Sequence, residues 1–120
     1  MRSHWIEHEG EKILYCDYVG FSESDFDALK TELRDVENLL SNEPDHSVLS
    51  VSDVRDSVAS RQAVEQFKIA AVRTGRHIRK QAVIGVTGIK KIFFDVIVRL
   101  SKQNAKAFDD LEQAKQWLVE

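Results

Sequence analysis

The stretch that decides the fold is residues 82–102, which read AVIGVTGIKKIFFDVIVRLSK. Residues 82–86 form a short apolar, β-branched run, which is typical of a fully buried strand that includes Gly85. After Thr87 and Gly88 the apolar spacing becomes helical, and it predicts an inward helix face made of Ile89, Ile92, Phe93, Val96, Ile97 and Leu100. A buried strand, a glycine turn and an amphipathic helix together form the β–α unit of an α/β sheet.

The rest of the chain supplies further strands and helices in alternation. Strand patterns occupy residues 4–8, 12–19, 47–54 and 105–108, with a Glu9-Gly10 turn between the first two. Helical patterns follow capping residues near Ser22, Ser60 and Asp110, and the second is expected to weaken or end at Gly75 and to carry Ile78 inward. The order is β-β-α-β-α-β-α-β-α in a single domain, residues 1–120. Because strands joined through helices run parallel, we predict a mixed, mostly parallel five-stranded sheet with four helices.

Composition favours a soluble, cytoplasmic protein. The chain has 120 residues, of which 42% are hydrophobic and 31% charged, as in a globular domain. It has no apolar run of the roughly 18 residues that span a bilayer, and its N-terminus lacks the apolar core of a signal peptide. The single cysteine, Cys16, excludes an internal disulfide and a multi-cysteine zinc site. We therefore expect no integral membrane association, no metal and no cofactor.

Charge is distributed unevenly along the chain. Residues 1–60 contain 5 Lys/Arg and 14 Asp/Glu, whereas residues 61–120 contain 12 and 6. One interpretation is that neighbouring helices present complementary solvated faces. The other is that the second half forms an electropositive surface for an acidic partner. With a pI near 5.8, a dedicated nucleic-acid binder is not expected.

Three local patterns accompany this order of elements. They are SVLSVSD at residues 47–53, AVIGVTGIKK at residues 82–91 and KAFDDLEQAKQWL at residues 106–118. With the N-terminal hairpin, they resemble the STAS superfamily, and specifically its small SpoIIAA-like members. The resemblance implies a mixed sheet related in shape to the CRAL-TRIO lipid-carrier fold. None of the three patterns carries catalytic chemistry.

The resemblance also implies a candidate phosphorylation site. The best understood relatives are anti-sigma-factor antagonists, in which a kinase phosphorylates a serine of an Asp-Ser-Ser/Thr-Gly loop. Asp56 and Ser57 match the first two residues of that loop, but the second hydroxyl and the glycine are replaced by Val58 and Ala59. Ser57 is therefore a candidate for phosphorylation, and the alternative is an ordinary loop serine ahead of a helix capped by Ser60.

Two charged groups are candidates for binding a ligand or partner. Asp53 and Arg55 lie at the carboxyl end of a predicted central strand, where open α/β sheets bind ligands, or else they form a surface ion pair. Lys90 and Lys91 follow Gly88 at a helix start, which suits an anion. For this glycine loop, the alternative is close packing of strand against helix.

The last candidate surface is apolar. Phe94 and Val98 fall beside Ile97, off the main inward face of the helix, and a stripe this wide indicates cover on two sides. The cover could come from the last helix, a second subunit or an acyl ligand.

The sequence contains no enzyme signature. We therefore expect a non-enzymatic regulatory or protein-interaction module of SpoIIAA-like type, with a protein partner or homodimer. The alternative is a small carrier or sensor of an apolar or anionic, lipid-like ligand.

Overall fold

The predicted sheet and helices are present in the computed structural model, which describes residues 1–120. Five strands lie side by side in chain order: His4–His8 (β1), Glu11–Asp17 (β2), Val48–Asp53 (β3), Ile78–Ile84 (β4) and Ala105–Phe108 (β5). The helices are Phe26–Leu40 (α1), Arg61–Thr74 (α2), Ile89–Ser101 (α3) and Leu111–Val119 (α4). Short 3₁₀ turns occupy Glu23–Asp25 and Gly75–His77. β1 and β2 are antiparallel and every other pair is parallel, which confirms the predicted fold class.

The two faces of the sheet carry separate cores, because successive side chains of a strand point to opposite sides. On one face, strand residues such as Leu14, Val48 and Ile78 pack with α1 and α2. On the other face, a second cluster packs against α4 through Ala114 and Leu118; its strand members are Ile13, Leu49, Val51, Ala82 and Ile84. No helix is long and apolar enough to cross a lipid bilayer.

Two of the predicted helix starts are confirmed by their side-chain caps. The Ser60 hydroxyl accepts a hydrogen bond from the Ala63 amide at 3.1 Å, which fixes the first turn of α2. The Asp110 carboxylate accepts one from the Gln113 amide at 2.8 Å and does the same for α4. Both caps satisfy amide groups that the helix itself leaves unpaired.

β4 lies earlier in the chain than predicted. It begins at Ile78, so this residue is buried in the sheet, and its assignment to the inward face of α2 was wrong. It ends at Ile84, so Gly85 lies after the strand rather than within it. Gly85 has a φ of +94°, and a Cβ there would lie 2.7 Å from the Arg55 amide nitrogen. Glycine is required at this position because the loop after β3 passes directly against it.

The predicted inward face of α3 was also wrong. Four of its six residues are exposed: Ile89, Ile92, Val96 and Leu100. Phe94 and Val98, which were expected off that face, are half-buried towards the sheet together with Phe93 and Ile97. α3 is apolar on both sides, so spacing alone could not decide its rotation. The Lys90 ammonium, which hydrogen-bonds to the Val54 carbonyl oxygen at 2.8 Å, points inward on the same face as Phe94.

Candidate ligand cavity

A half-open cavity of about 160 Å³ lies between the sheet and helices α2 and α3. It is lined by 28 residues, of which 21 are hydrophobic. Such a concave, mostly apolar lining with a few polar groups is the usual character of a small-molecule site. The cavity is therefore the candidate functional site.

Small side chains and a raised helix create this space. Where α2 lines the cavity it does so partly through Ala63, Ala70 and Ala71, which fill little of the gap above the sheet. α3 has no fully buried residue and meets the cavity through Phe93, Phe94, Ile97 and Val98. Protein interiors are normally close-packed, so a void of this size is a distinct feature of the molecule.

Most polar groups of the lining are already satisfied. The Gln81 side-chain amide donates to the Ser52 hydroxyl at 2.7 Å, and the Gln103 amide donates to the Ala71 carbonyl oxygen at 3.1 Å. The Thr74 hydroxyl donates to the carbonyl oxygen of Ala70 at 2.8 Å. These groups therefore need no further hydrogen-bond partner from a bound molecule, and the middle of the cavity is effectively apolar.

Lys90 differs from these neutral polar groups, because it is the only charged residue in the lining. Its ammonium and the Ser57 hydroxyl both donate to the Val54 carbonyl oxygen, at 2.8 and 2.7 Å. The Ser57 amide approaches the same oxygen at 3.2 Å. Burial lowers the pKa of Lys90, and the nearby charge of Asp56 acts in the opposite direction. Hydrogen-bond donors thus converge at the end of the cavity where the parallel strands finish.

Asp53 and Arg55 do not reach this cavity. The Asp53 carboxylate is fully buried on the α4 face, where it accepts hydrogen bonds from the Tyr15 hydroxyl and the Arg55 guanidinium. Burial raises the pKa of Asp53, but the bonds from Arg55 and Tyr15 outweigh it and hold this pKa below its usual range. Burial and the Asp53 carboxylate raise the pKa of Tyr15 to about 12. The three side chains form one hydrogen-bonded cluster, in which the Arg55 side chain is partly exposed to solvent.

Of the two remaining predicted site residues, Lys91 and Ser57, only Ser57 lines the cavity. Lys91 is exposed and does not line the cavity, unlike its neighbour Lys90. Ser57 is half-buried and lines the cavity, three residues before the Ser60 cap that begins α2. Ser60, not Ser57, therefore occupies the helix start, and phosphorylation of Ser57 stays a prediction.

Sequence reasoning missed several lining residues. Gln81 belongs to β4, whose beginning was placed too late, and Cys16 was considered only in relation to disulfides and zinc sites. Burial raises the pKa of the Cys16 thiol to about 11, so it is present as an unreactive thiol. The run of alanines at positions 63, 70 and 71, on the inward face of α2, was the one signal that could have indicated a gap.

Comparisons with known proteins bear on the fold. No protein-family model and no curated protein matches the sequence. Among solved structures, the chain is similar to an uncharacterized protein of the DUF3478 family from Shewanella loihica PV-4, described as having a SpoIIAA-like fold. The two share 15% sequence identity with a TM-score of 0.72, over 97% of this chain and 91% of the other. The two proteins share their architecture despite this low sequence identity, and the chain therefore has a SpoIIAA-like fold.

Proposed function

We propose that this protein is a non-enzymatic module that binds a small apolar molecule between α2, α3 and the sheet. The observation that carries the proposal is the apolar cavity of about 160 Å³. An engineered cavity of about 150 Å³ with an apolar lining stays dry and binds benzene, so a void of this size can hold a ligand of about six carbons. Phe94, Ile97 and Val98, which were candidates for either a ligand or a partner surface, line this cavity.

Binding would also act on the structure of α3. This helix has no fully buried residue, so its contacts with the sheet are sparse. A ligand that fills the gap beneath Phe94 and Val98 would add contacts to the inner face of the helix and hold it more firmly. That coupling suits a sensor or carrier whose outer surface reports whether the cavity is filled.

The test is an NMR titration with benzene, monitored by amide chemical shifts. It is carried out on the wild type and on two matched variants. Val98→Phe places a larger side chain in the cavity, whereas Val96→Phe makes the same change on the exposed side of the same helix. We expect the wild type and Val96→Phe to bind benzene and Val98→Phe to lose binding. Absence of saturable binding to the wild type would refute the proposed function.

A second candidate function, protein binding, rests on the outer side of α3. Ile89, Ile92 and Leu100 are 61%, 63% and 52% exposed, and Val72 on the adjacent helix α2 is 59% exposed. An apolar stripe of this kind is typical of an interaction surface. If a second copy covers it, sedimentation of the wild type will give a dimer mass and Ile92→Glu a monomer mass. A monomer at all concentrations for the wild type would exclude self-association through this stripe.

A further inference from the structure

We infer that the occupant of the cavity is a small carboxylate, whose apolar tail fills the cavity and whose carboxylate contacts Lys90 and Ser57. This inference rests on the proposed function and adds the chemical class of the ligand. It follows from the charge of the lining, the surplus of hydrogen-bond donors at one end and the size of the cavity.

The charge of the lining selects an anion. Lys90 is the only charged residue among the 28 that line the cavity, and it takes part in none of the ion pairs of the protein. An ammonium group has three N–H donors, and this one uses a single donor, on the Val54 carbonyl oxygen. A partly buried cation without a carboxylate partner is unfavourable, and an anion from solution would supply the missing partner.

The donors at this end exceed the acceptors. The Val54 carbonyl oxygen is approached by the Lys90 ammonium, the Ser57 hydroxyl and the Ser57 amide, although a carbonyl oxygen has only two lone pairs. A carboxylate placed beside Lys90 would accept from the ammonium and from the Ser57 hydroxyl. The site also lies at the carboxyl ends of the parallel strands, the edge at which open α/β sheets bind ligands.

Two observations narrow the ligand further. The volume of about 160 Å³ accommodates a tail of about six carbons. Asp56 is exposed, and its charge acts on Lys90 without forming an ion pair with it. The positive charge at the rim is thereby partly offset, which favours a monoanion over a dianion such as a phosphate monoester.

The probes that test the inference are hexanoate, 1-hexanol and hexylamine, which have related tails and differ in the charge of the head group. Titrations of the wild type, Lys90→Met and Lys91→Met are followed by NMR shifts of the cavity-lining residues. Lys91→Met is the matched control, because it removes the same charge from the same helix outside the cavity. Thermal unfolding of each variant verifies that it is folded.

We expect the wild type to bind hexanoate about tenfold more tightly than 1-hexanol, as for a charge-assisted hydrogen bond at a partly exposed site. Lys90→Met should lose this preference and retain the affinity for 1-hexanol, whereas Lys91→Met should behave as the wild type. If Lys90→Met does not fold, the wild type alone decides, since hexylamine should bind more weakly than 1-hexanol.

Equal binding of hexanoate, 1-hexanol and hexylamine by the wild type would overturn the carboxylate assignment and leave the proposed function standing. The same holds if Lys90→Met and Lys91→Met weaken hexanoate binding equally, because a general charge effect would then explain it. Absence of binding for all three probes would overturn both the inference and the proposed function.

Discussion

Gly85→Ala tests how the loop after β3 is seated at the rim of the cavity. The added Cβ would lie 2.7 Å from the Arg55 amide nitrogen and 2.8 Å from its Cα, so the backbone of that loop must move. Overpacking of this kind costs about 1–3 kcal/mol, and a φ of +94° adds about 1–2 kcal/mol for any residue with a Cβ. We therefore expect the free energy of unfolding to fall by about 2–5 kcal/mol.

Gly20→Ala is the matched control for this measurement. Gly20 has a φ of +75°, but a Cβ added to it would have no atom within 4 Å, so only the conformational cost of about 1–2 kcal/mol applies. Urea unfolding of the wild type and both variants, extrapolated linearly to water, gives the difference. Losses that agree within about 0.5 kcal/mol would refute the close approach of Arg55 to Gly85.

Three further predictions concern α3 and the buried carboxylate of Glu32. Ile92→Ser should change the free energy of unfolding by less than about 0.5 kcal/mol, whereas Phe94→Ser should lower it by more than about 1 kcal/mol. If urea unfolding gave the reverse order, Ile92 rather than Phe94 would face the sheet, as the sequence spacing predicted. Amides of α3 should exchange with deuterium faster than those of β3, because the helix has no fully buried residue, and equal protection would contradict this. Burial raises the pKa of Glu32, but hydrogen bonds from the Arg2 and Ser3 amides outweigh this effect, so the pKa is lowered. The stability that the ionised carboxylate contributes is therefore present above about pH 4 and is lost as the pH falls through the lowered pKa. Glu32→Gln should be less stable at neutral pH and lose less on acidification; an unchanged acid-unfolding profile would contradict this.

The fold was predictable because local signals agreed with one another. The Glu9-Gly10 turn, the Ser60 and Asp110 caps and the apolar pattern of β3 each specify a boundary or a face without knowledge of the rest. The start of β4 was not predictable in this way. Residues 78–81 read Ile-Arg-Lys-Gln, and this polar composition conceals a strand whose buried residues are Ile78, Ala82 and Ile84.

The candidate site was predictable only in part. The surplus of apolar residues in α3 was visible in the sequence. Of the seven residues predicted to form a ligand or partner surface, four line the cavity (Lys90, Phe94, Ile97 and Val98) and three do not (Asp53, Arg55 and Lys91). The rotation of α3 about its axis was not predictable, because apolar residues on either side of the helix satisfy the helical period equally well. The cavity itself depends on how far α3 stands from the sheet, which is a property of packing rather than of any local pattern.

Intermolecular NOEs to selectively methyl-labelled protein would locate benzene and so test directly whether the cavity is the binding site. We expect NOEs from benzene to the methyl groups of Val83 and Val98, which line the cavity, and none to Ile92 on the exposed side of α3. NOEs to Ile92 without any to Val83 and Val98 would place the ligand on the outer surface and contradict the claim that the cavity is the binding site.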